Sequence, residues 1–404
     1  MCQFETKQVV MAITTGIDAQ AYDNRAVSAV RFETLDSWRG ICALLVAVFH
    51  LPVAGALANN QFIRGSYLFV DFFFVLSGFV IAHAYGAKLA RGEGFAKFMV
   101  TRFGRLFPLH AFMLLAFVAF EFLRLKVPQL GGQDTAFTGG FALNTLLDNA
   151  LMIHGLGFEK SLSWNAPSWS ISTELFAYIL FAVLVIGLRR TALMAFGIIA
   201  IVAPVMLLML SPHYMDTTFD FGFLRCIYGF SLGVLVQAYF TRTHVTLGQD
   251  RETKIAWTLA ELSTIAAVVI FVANSHANAG SLLAPLVFGF AVLVFSHEAG
   301  YISAILRAKP FILLGALSYS IYMTHLFVQG RMFNIARFLD GHRGTSIIGM
   351  QANGGEPTFA YAQNSALPAT IIMILLTIIA STITYNLVEV PARNWFRKLA
   401  AKLG

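Results

Sequence analysis

The chain has 404 residues, 57% of them hydrophobic and 12% charged, about half the charged share of a soluble domain. With a mean hydropathy of +0.70 and 38 Phe, its apolar surface exceeds what one water-soluble core buries and must face lipid. The formal charge of +7 therefore reports orientation in a membrane rather than nucleic-acid binding, and Cys2, Cys42 and Cys226 have no spacing that suggests disulfides or a metal site.

Residues 1–35 are polar and lack the apolar core of a cleaved signal peptide, so they read as a cytoplasmic tail. Apolar runs near spanning length follow at 41–57, 67–85, 106–123, 168–188, 191–210, 219–240, 255–273, 281–297, 310–328 and 367–388. The expected fold is all-α: a polytopic transmembrane helical bundle of about ten helices over residues 36–393, with a short tail at 394–404. An even count puts both termini on one side. Most of the Lys and Arg residues, including those at 86–104, collect on that side, which makes it cytoplasmic. Two long outward loops, 124–167 and 329–366, mix Gly, Asn and aromatics and are candidates to build a substrate site. Within the first, Leu143, Leu146, Leu147, Ala150 and Leu151 recur at helical spacing, over too few residues to span, and predict an interfacial or re-entrant helix.

An ionisable side chain at membrane depth costs roughly 2.5–3.5 kcal/mol on insertion scales, so each one needs a partner or a purpose. Arg39 and His50 in the first run lie eleven positions apart, which returns nearly to the same helix face after a rise of about 16 Å. A plainer reading has His50 bonding a neighbouring helix while Arg39 snorkels to the surface. Asp71 lies near the outer end of the second run, with Ser77 and Gly78 deeper, where small residues permit close helix contact. Arg102 and Arg105 share one face before Pro108, which fixes a helix start. Two guanidiniums at a helix N-terminus suit cytoplasmic phosphates, though lipid head groups would satisfy them too.

Further along, Trp169-Ser-Ile-Ser-Thr-Glu174 sets a carboxylate about two turns into the fourth run, within reach of a histidine. Ser318, Tyr322 and His325 line one face of the ninth. Tyr385-Asn-Leu-Val-Glu389-Val-Pro391-Ala-Arg393 closes the last helix, and a Pro stop with a Glu–Arg pair accounts for it. His83 and His110 have no companion at helical spacing and read as packing residues. No Gly-rich phosphate loop or nucleophile elbow appears.

Together these strings resemble acyltransferase family 3, membrane-bound O-acyltransferases of bacterial surface glycans. The likeness runs from about residue 33 to 393. Its R-x10-H element matches Arg39 and His50, its F-F-x-x-S-G element Phe73, Phe74, Ser77 and Gly78, and its R-x-x-R element Arg102 and Arg105. The W-S-x-x-x-E element matches Trp169, Ser170 and Glu174, and the S-Y-x-x-Y-x-x-H element Ser318, Tyr319, Tyr322 and His325. The resemblance implies ten helices in the cell inner membrane, cytoplasmic acyl-CoA, often acetyl-CoA, as donor, no metal, and an acceptor hydroxyl on a glycan or lipid-linked sugar at the periplasmic side. Some relatives carry a further periplasmic hydrolase-like domain, which is not expected here after Arg393.

On this reading Arg39, Arg102 and Arg105 bind the donor and His50 is the general base, because imidazole titrates near working pH. Glu174 and His325 are further catalytic candidates that orient His50 or bind the sugar. Asp71, Trp169, Ser318 and Tyr322 are substrate-binding candidates. A covalent acyl-histidine is a variant of the same chemistry. The rival class is a secondary transporter with an intramembrane His/Arg/Glu relay, but the two related halves common in transporters are not visible.

Overall fold

The computed structural model describes residues 31–131, 135–243, 250–345, 347–350, 357–359 and 366–403. Most of the expected N-terminal tail, with Cys2, lies outside them. The described chain is almost wholly helical: α1 Glu33–Phe49, α2 Phe69–Ala90, α3 Phe95–Lys126, α4 Trp169–Leu188, α5 Ala192–Leu210, α6 Gly222–Thr243, α7 Arg251–Ser275, α8 Ala284–Phe295, α9 Lys309–Arg343, α10 Ala366–Thr384 and α11 Val390–Ala401. A small antiparallel hairpin, β1 Ile348–Met350 and β2 Pro357–Phe359, follows α9.

Each of the ten apolar runs contains a helix, α1 to α10. Seven helical stretches among the described residues are long and apolar enough to cross a membrane, and one of these, Ala166–Leu210, contains both α4 and α5. These two are separated at Arg189–Thr191, where Arg189 takes φ 43°. At 17 and 12 residues α1 and α8 are short of that length, because a helix needs about 20 residues to cross roughly 30 Å of hydrocarbon.

Several boundaries differ from hydropathy alone. The first run, expected at 41–57, is helical from Glu33 and ends at Phe49, with His50 as its C-cap. Pro52 disfavours a helical Leu51, and the Pro52 carbonyl instead accepts the Phe359 N–H of β2 at 3.0 Å. Pro108 does not start the third helix: α3 begins at Phe95 and runs through Pro108 for 32 residues. Its early turns are amphipathic rather than apolar, burying Phe98 and Gly104, with Gly104 against the Phe396 side chain of α11. Pro391 does not stop the last helix either. A π turn at Tyr385–Glu389 leads into α11, where Pro391 lies in the first turn, the helical position at which proline is tolerated. The expected interfacial helix is a 3-10 turn, Leu143–Thr145, plus one helical turn, Leu146–Ala150. It leaves Leu143, Leu147 and Leu151 exposed.

Two helix crossings are close enough to require glycine. Where α1 meets α9, a Cβ on Gly40 would sit 2.6 Å from the Leu314 carbonyl carbon, and one on Gly315 2.3 Å from the Asp36 carbonyl oxygen. Where α2 meets α6, a Cβ on Gly233 would sit 1.9 Å from the Val75 carbonyl oxygen. Small residues let membrane helices pack at backbone distance, which substitutes dispersion contacts for the hydrophobic drive that lipid removes. Gly233→Leu is therefore expected to destabilise the bundle by more than about 3 kcal/mol, since a backbone atom cannot yield as a side chain can. Gly86→Leu, which meets nothing within 4 Å, should behave as wild type. Thermal unfolding of the two purified variants in detergent checks the contrast, and equal melting temperatures would contradict the crossing.

Candidate active site

The α1–α9 crossing sets the register of two polar pairs. His50 lies ten residues beyond Gly40 and His325 ten beyond Gly315, so the two parallel helices bring the imidazoles together, His325 Nε2 at 3.3 Å from His50 Nδ1. The ring centroids are 5.1 Å apart. Carbonyls only accept, so the neighbours fix the protons. His50 Nδ1–H lies 2.9 Å from the Val46 carbonyl and His325 Nδ1–H 3.3 Å from the Ile321 carbonyl. His325 Nε2 is then an acceptor for His50 Nδ1–H, and His50 Nε2 keeps a lone pair with no hydrogen bond among the described residues. With the rings in these tautomers, the arrangement could serve as a positioned general base with a second imidazole behind it.

Toward the N-terminal ends of the same helices, Arg39 donates from Nε to Ser318 Oγ at 2.7 Å and from Nη2 to the Gly315 carbonyl at 3.2 Å. It also pairs with Asp36 at 3.3 Å. Arg105 of α3 carries no hydrogen bond among the described residues, and the charges acting on it come from Glu389, Glu174 and Asp36. Arg102 donates to the Tyr85 hydroxyl at 2.9 Å and lies 4.9 Å over that ring, while its buried Nε has no partner. Glu389, delivered by the π turn, accepts from Ser320 Oγ at 2.9 Å. Arg105, with no hydrogen bond among the described residues, suits a phosphate-bearing ligand, which guanidinium can hold in a bidentate fork.

Between the two clusters, Glu174 accepts from Ser77 Oγ at 2.6 Å and from the Tyr178 hydroxyl. Its partners are hydroxyls rather than the expected histidine. Tyr322 shares a 2.9 Å hydrogen bond with Ser170 Oγ and meets the Phe73 ring edge-on at 5.8 Å.

Asp71 and Trp169 sit apart from this line. Asp71 is fully buried and takes a two-pronged bond from Arg225, Nε at 2.9 Å and Nη2 at 2.7 Å. The same guanidinium donates to the carbonyls of Thr217 and Tyr67 at 3.1 and 3.2 Å, and Trp169 lies against it at 5.5 Å. His110 is buried, bonds the Asn149 carbonyl at 2.7 Å and stacks on His154; His83 meets Phe32 edge-on. Among the described residues no group of three or more His, Cys, Asp or Glu is placed to hold a metal ion.

Sequence reasoning passed over Arg225, Tyr178 and Asp36 as site residues. Arg225 was legible: it is a cation inside an apolar run, and Asp71 is an acid at comparable depth, so insertion cost alone pairs them. Tyr178 is one turn beyond Glu174, a spacing that brings side chains together.

A family model described as an acyltransferase domain matches residues 32–386. An O-acetyltransferase of Staphylococcus aureus is 22% identical over 383 residues, 89% of this chain and 57% of that protein. A putative O-acetyltransferase of the same species is 23% identical over 380 residues, with the same shares covered. "Protein 2 in picA locus" of Rhizobium radiobacter is 36% identical over 158 residues, 36% of this chain and 78% of that protein. This chain thus spans little more than half the length of the staphylococcal relatives. No solved structure matches it significantly. The matched span contains the paired histidines, the arginine cluster and Glu174, and the chain belongs to acyltransferase family 3, a multi-pass membrane family.

Proposed function

We propose that this protein moves an acyl group, most simply acetyl, from cytoplasmic acyl-CoA to a hydroxyl of a glycan or lipid-linked sugar at the periplasmic face of the cell inner membrane. Both termini and the α2–α3 turn then face the cytoplasm. The observation that carries this reading is the His50–His325 pair, His325 Nε2 3.3 Å from His50 Nδ1, on the same helix pair that holds Arg39. Family membership weighs against the transporter reading, for which nothing in the geometry speaks separately.

CoA is large and anionic and does not cross a bilayer, so donor and acceptor meet inside the protein. Arg39, Arg102 and Arg105 bind the phosphates at the cytoplasmic mouth, and the pantetheine arm runs past Glu174, Ser77 and Tyr178 toward His50. His50 Nε2 takes the proton of the acceptor hydroxyl as its oxygen attacks the thioester carbonyl carbon. The C–S bond breaks, and the imidazolium returns that proton to the departing thiolate. His325 Nε2 accepts from His50 Nδ1–H and steadies the charged ring; Ser318 steadies Arg39, and Tyr322 lies beside His325.

Replacing His50 with Ala should lower acyl transfer by about 10²–10⁴-fold while the protein inserts and folds. His50→Gln, which keeps size but cannot take a proton, should be nearly as impaired. Transfer of label from radioactive acetyl-CoA by purified protein reads this out, and a Gln variant with near-normal turnover would move the base elsewhere. The Arg102→Ala, Arg105→Ala double variant should raise the KM for acyl-CoA by about tenfold or more, and Lys at both positions should recover part of the loss, because a point charge attracts phosphate without the fork. An unchanged KM would remove both arginines from donor binding.

A further inference from the structure

On the side of the bundle where α1 ends lies a cavity of about 550 Å³ that none of the residues above was assigned to. Its size falls within the range of roughly 300–1,000 Å³ typical of small-ligand sites. The geometry points to this cavity as the seat of one saccharide unit of the acceptor, a conclusion that rests on the acyl-transfer reading.

Beside aliphatic walls such as Val48, Leu51, Val53 and Ile63, its lining offers groups that a sugar ring can use. A pyranose presents a face of C–H groups and a rim of hydroxyls that both donate and accept. Phe49, Tyr67 and Tyr214 supply aromatic surface, while Arg64 offers donors, Asp216 acceptors and His213 either. The side chains of Arg64, His213 and Asp216 make no ion pair or hydrogen bond among the described residues, so they are available to a ligand. Thr358 of β2, from the long loop after α9, also contributes to the lining.

The cavity has braced walls and lies next to the residue before the base. Arg225 holds the Tyr67 and Thr217 carbonyls from behind, and the Tyr67 hydroxyl donates to the His276 carbonyl at 2.6 Å. One buried ion pair and one phenol thus tie three separate chain segments into fixed walls. Phe49, in the lining, lies 4.9 Å from the His50 ring and 5.8 Å from the Tyr67 ring. The part of the lining formed by Phe49 is therefore one aromatic ring away from His50, which does not itself line the cavity. Asp71, through Arg225, is a positioning residue for these walls.

Asp216 and His213 are exposed, so Asp216→Asn and His213→Ala should not disturb folding. In cells lacking the gene and complemented with each variant, O-acyl content of surface glycans measured by mass spectrometry should fall by about tenfold for Asp216→Asn, the loss of a charge-assisted hydrogen bond. Binding of radioactive acetyl-CoA to the purified variants should be unchanged. Wild-type glycan acylation in both variants would overturn the assignment. So would a matching loss of acetyl-CoA binding, which would give the cavity to the donor, or loss of co-purifying phospholipid with acylation intact, which would make it a lipid site. If wild-type protein itself neither bound acetyl-CoA nor altered glycans, the acyl-transfer reading would fail on its own account and this assignment with it.

Discussion

The contact of α1 with α9 at Gly40 and Gly315 is the constraint on which the site depends. Backbone there touches backbone, so neither helix can slide or roll without a clash. Ten residues further along both helices, the fixed register delivers His50 to His325, and beside the crossing it delivers Arg39 to Ser318. Gln329 Nε2 continues the seam by donating to the Ala47 carbonyl at 2.8 Å. A base whose partner must lie within hydrogen-bond reach needs this kind of rigid support, since small displacements are costly in rate.

The remaining polar groups divide by what they do for that seam. Asp36, Arg39, Arg105 and Glu389 gather at one end as a mixed cluster in which Arg105 makes no hydrogen bond among the described residues. Ser77, Glu174 and Tyr178 satisfy one another midway. Asp71 and Arg225 close on each other with every nitrogen of the guanidinium hydrogen-bonded, and such a buried pair is strongly destabilising to break though seldom a net gain over apolar packing. Its value lies in placing two carbonyls rather than in stability. A partly open cluster next to a fully closed one is what separates groups kept for a ligand from groups kept for geometry.

The helical fold and the line of candidate residues were largely legible because lipid makes polar groups conspicuous. Arg39 with His50 and Ser318 with His325 stood out by helical spacing, and parallel helices brought those stripes face to face. What hydropathy missed has local causes. Pro108 and Pro391 read as boundaries, but the early turns of α3 and the whole of α11 are amphipathic, held by Gly104 packing on Phe396, and no apolar run marks them. Asp71 read as a substrate-binding candidate near the outer end of its helix, because its partner Arg225 is 154 positions away. Glu174 read as a histidine partner, whereas Ser77 and Tyr178 take both of its hydrogen bonds. The cavity near Phe49 was invisible, being assembled from separate chain segments that meet only in three dimensions.

On the proposed reading, acyl transfer through the bundle has a direction, with donor-binding arginines at one end of the α1–α9 seam and the His50–His325 pair toward the other. Sealed vesicles of the two orientations, each supplied with radioactive acetyl-CoA outside only, test that direction. The account predicts label on acceptor only in vesicles with the Arg102 and Arg105 face outward, and that the labelled product lies in the lumen, out of reach of an added esterase. Equal labelling in both orientations, or product on the donor face, would contradict it.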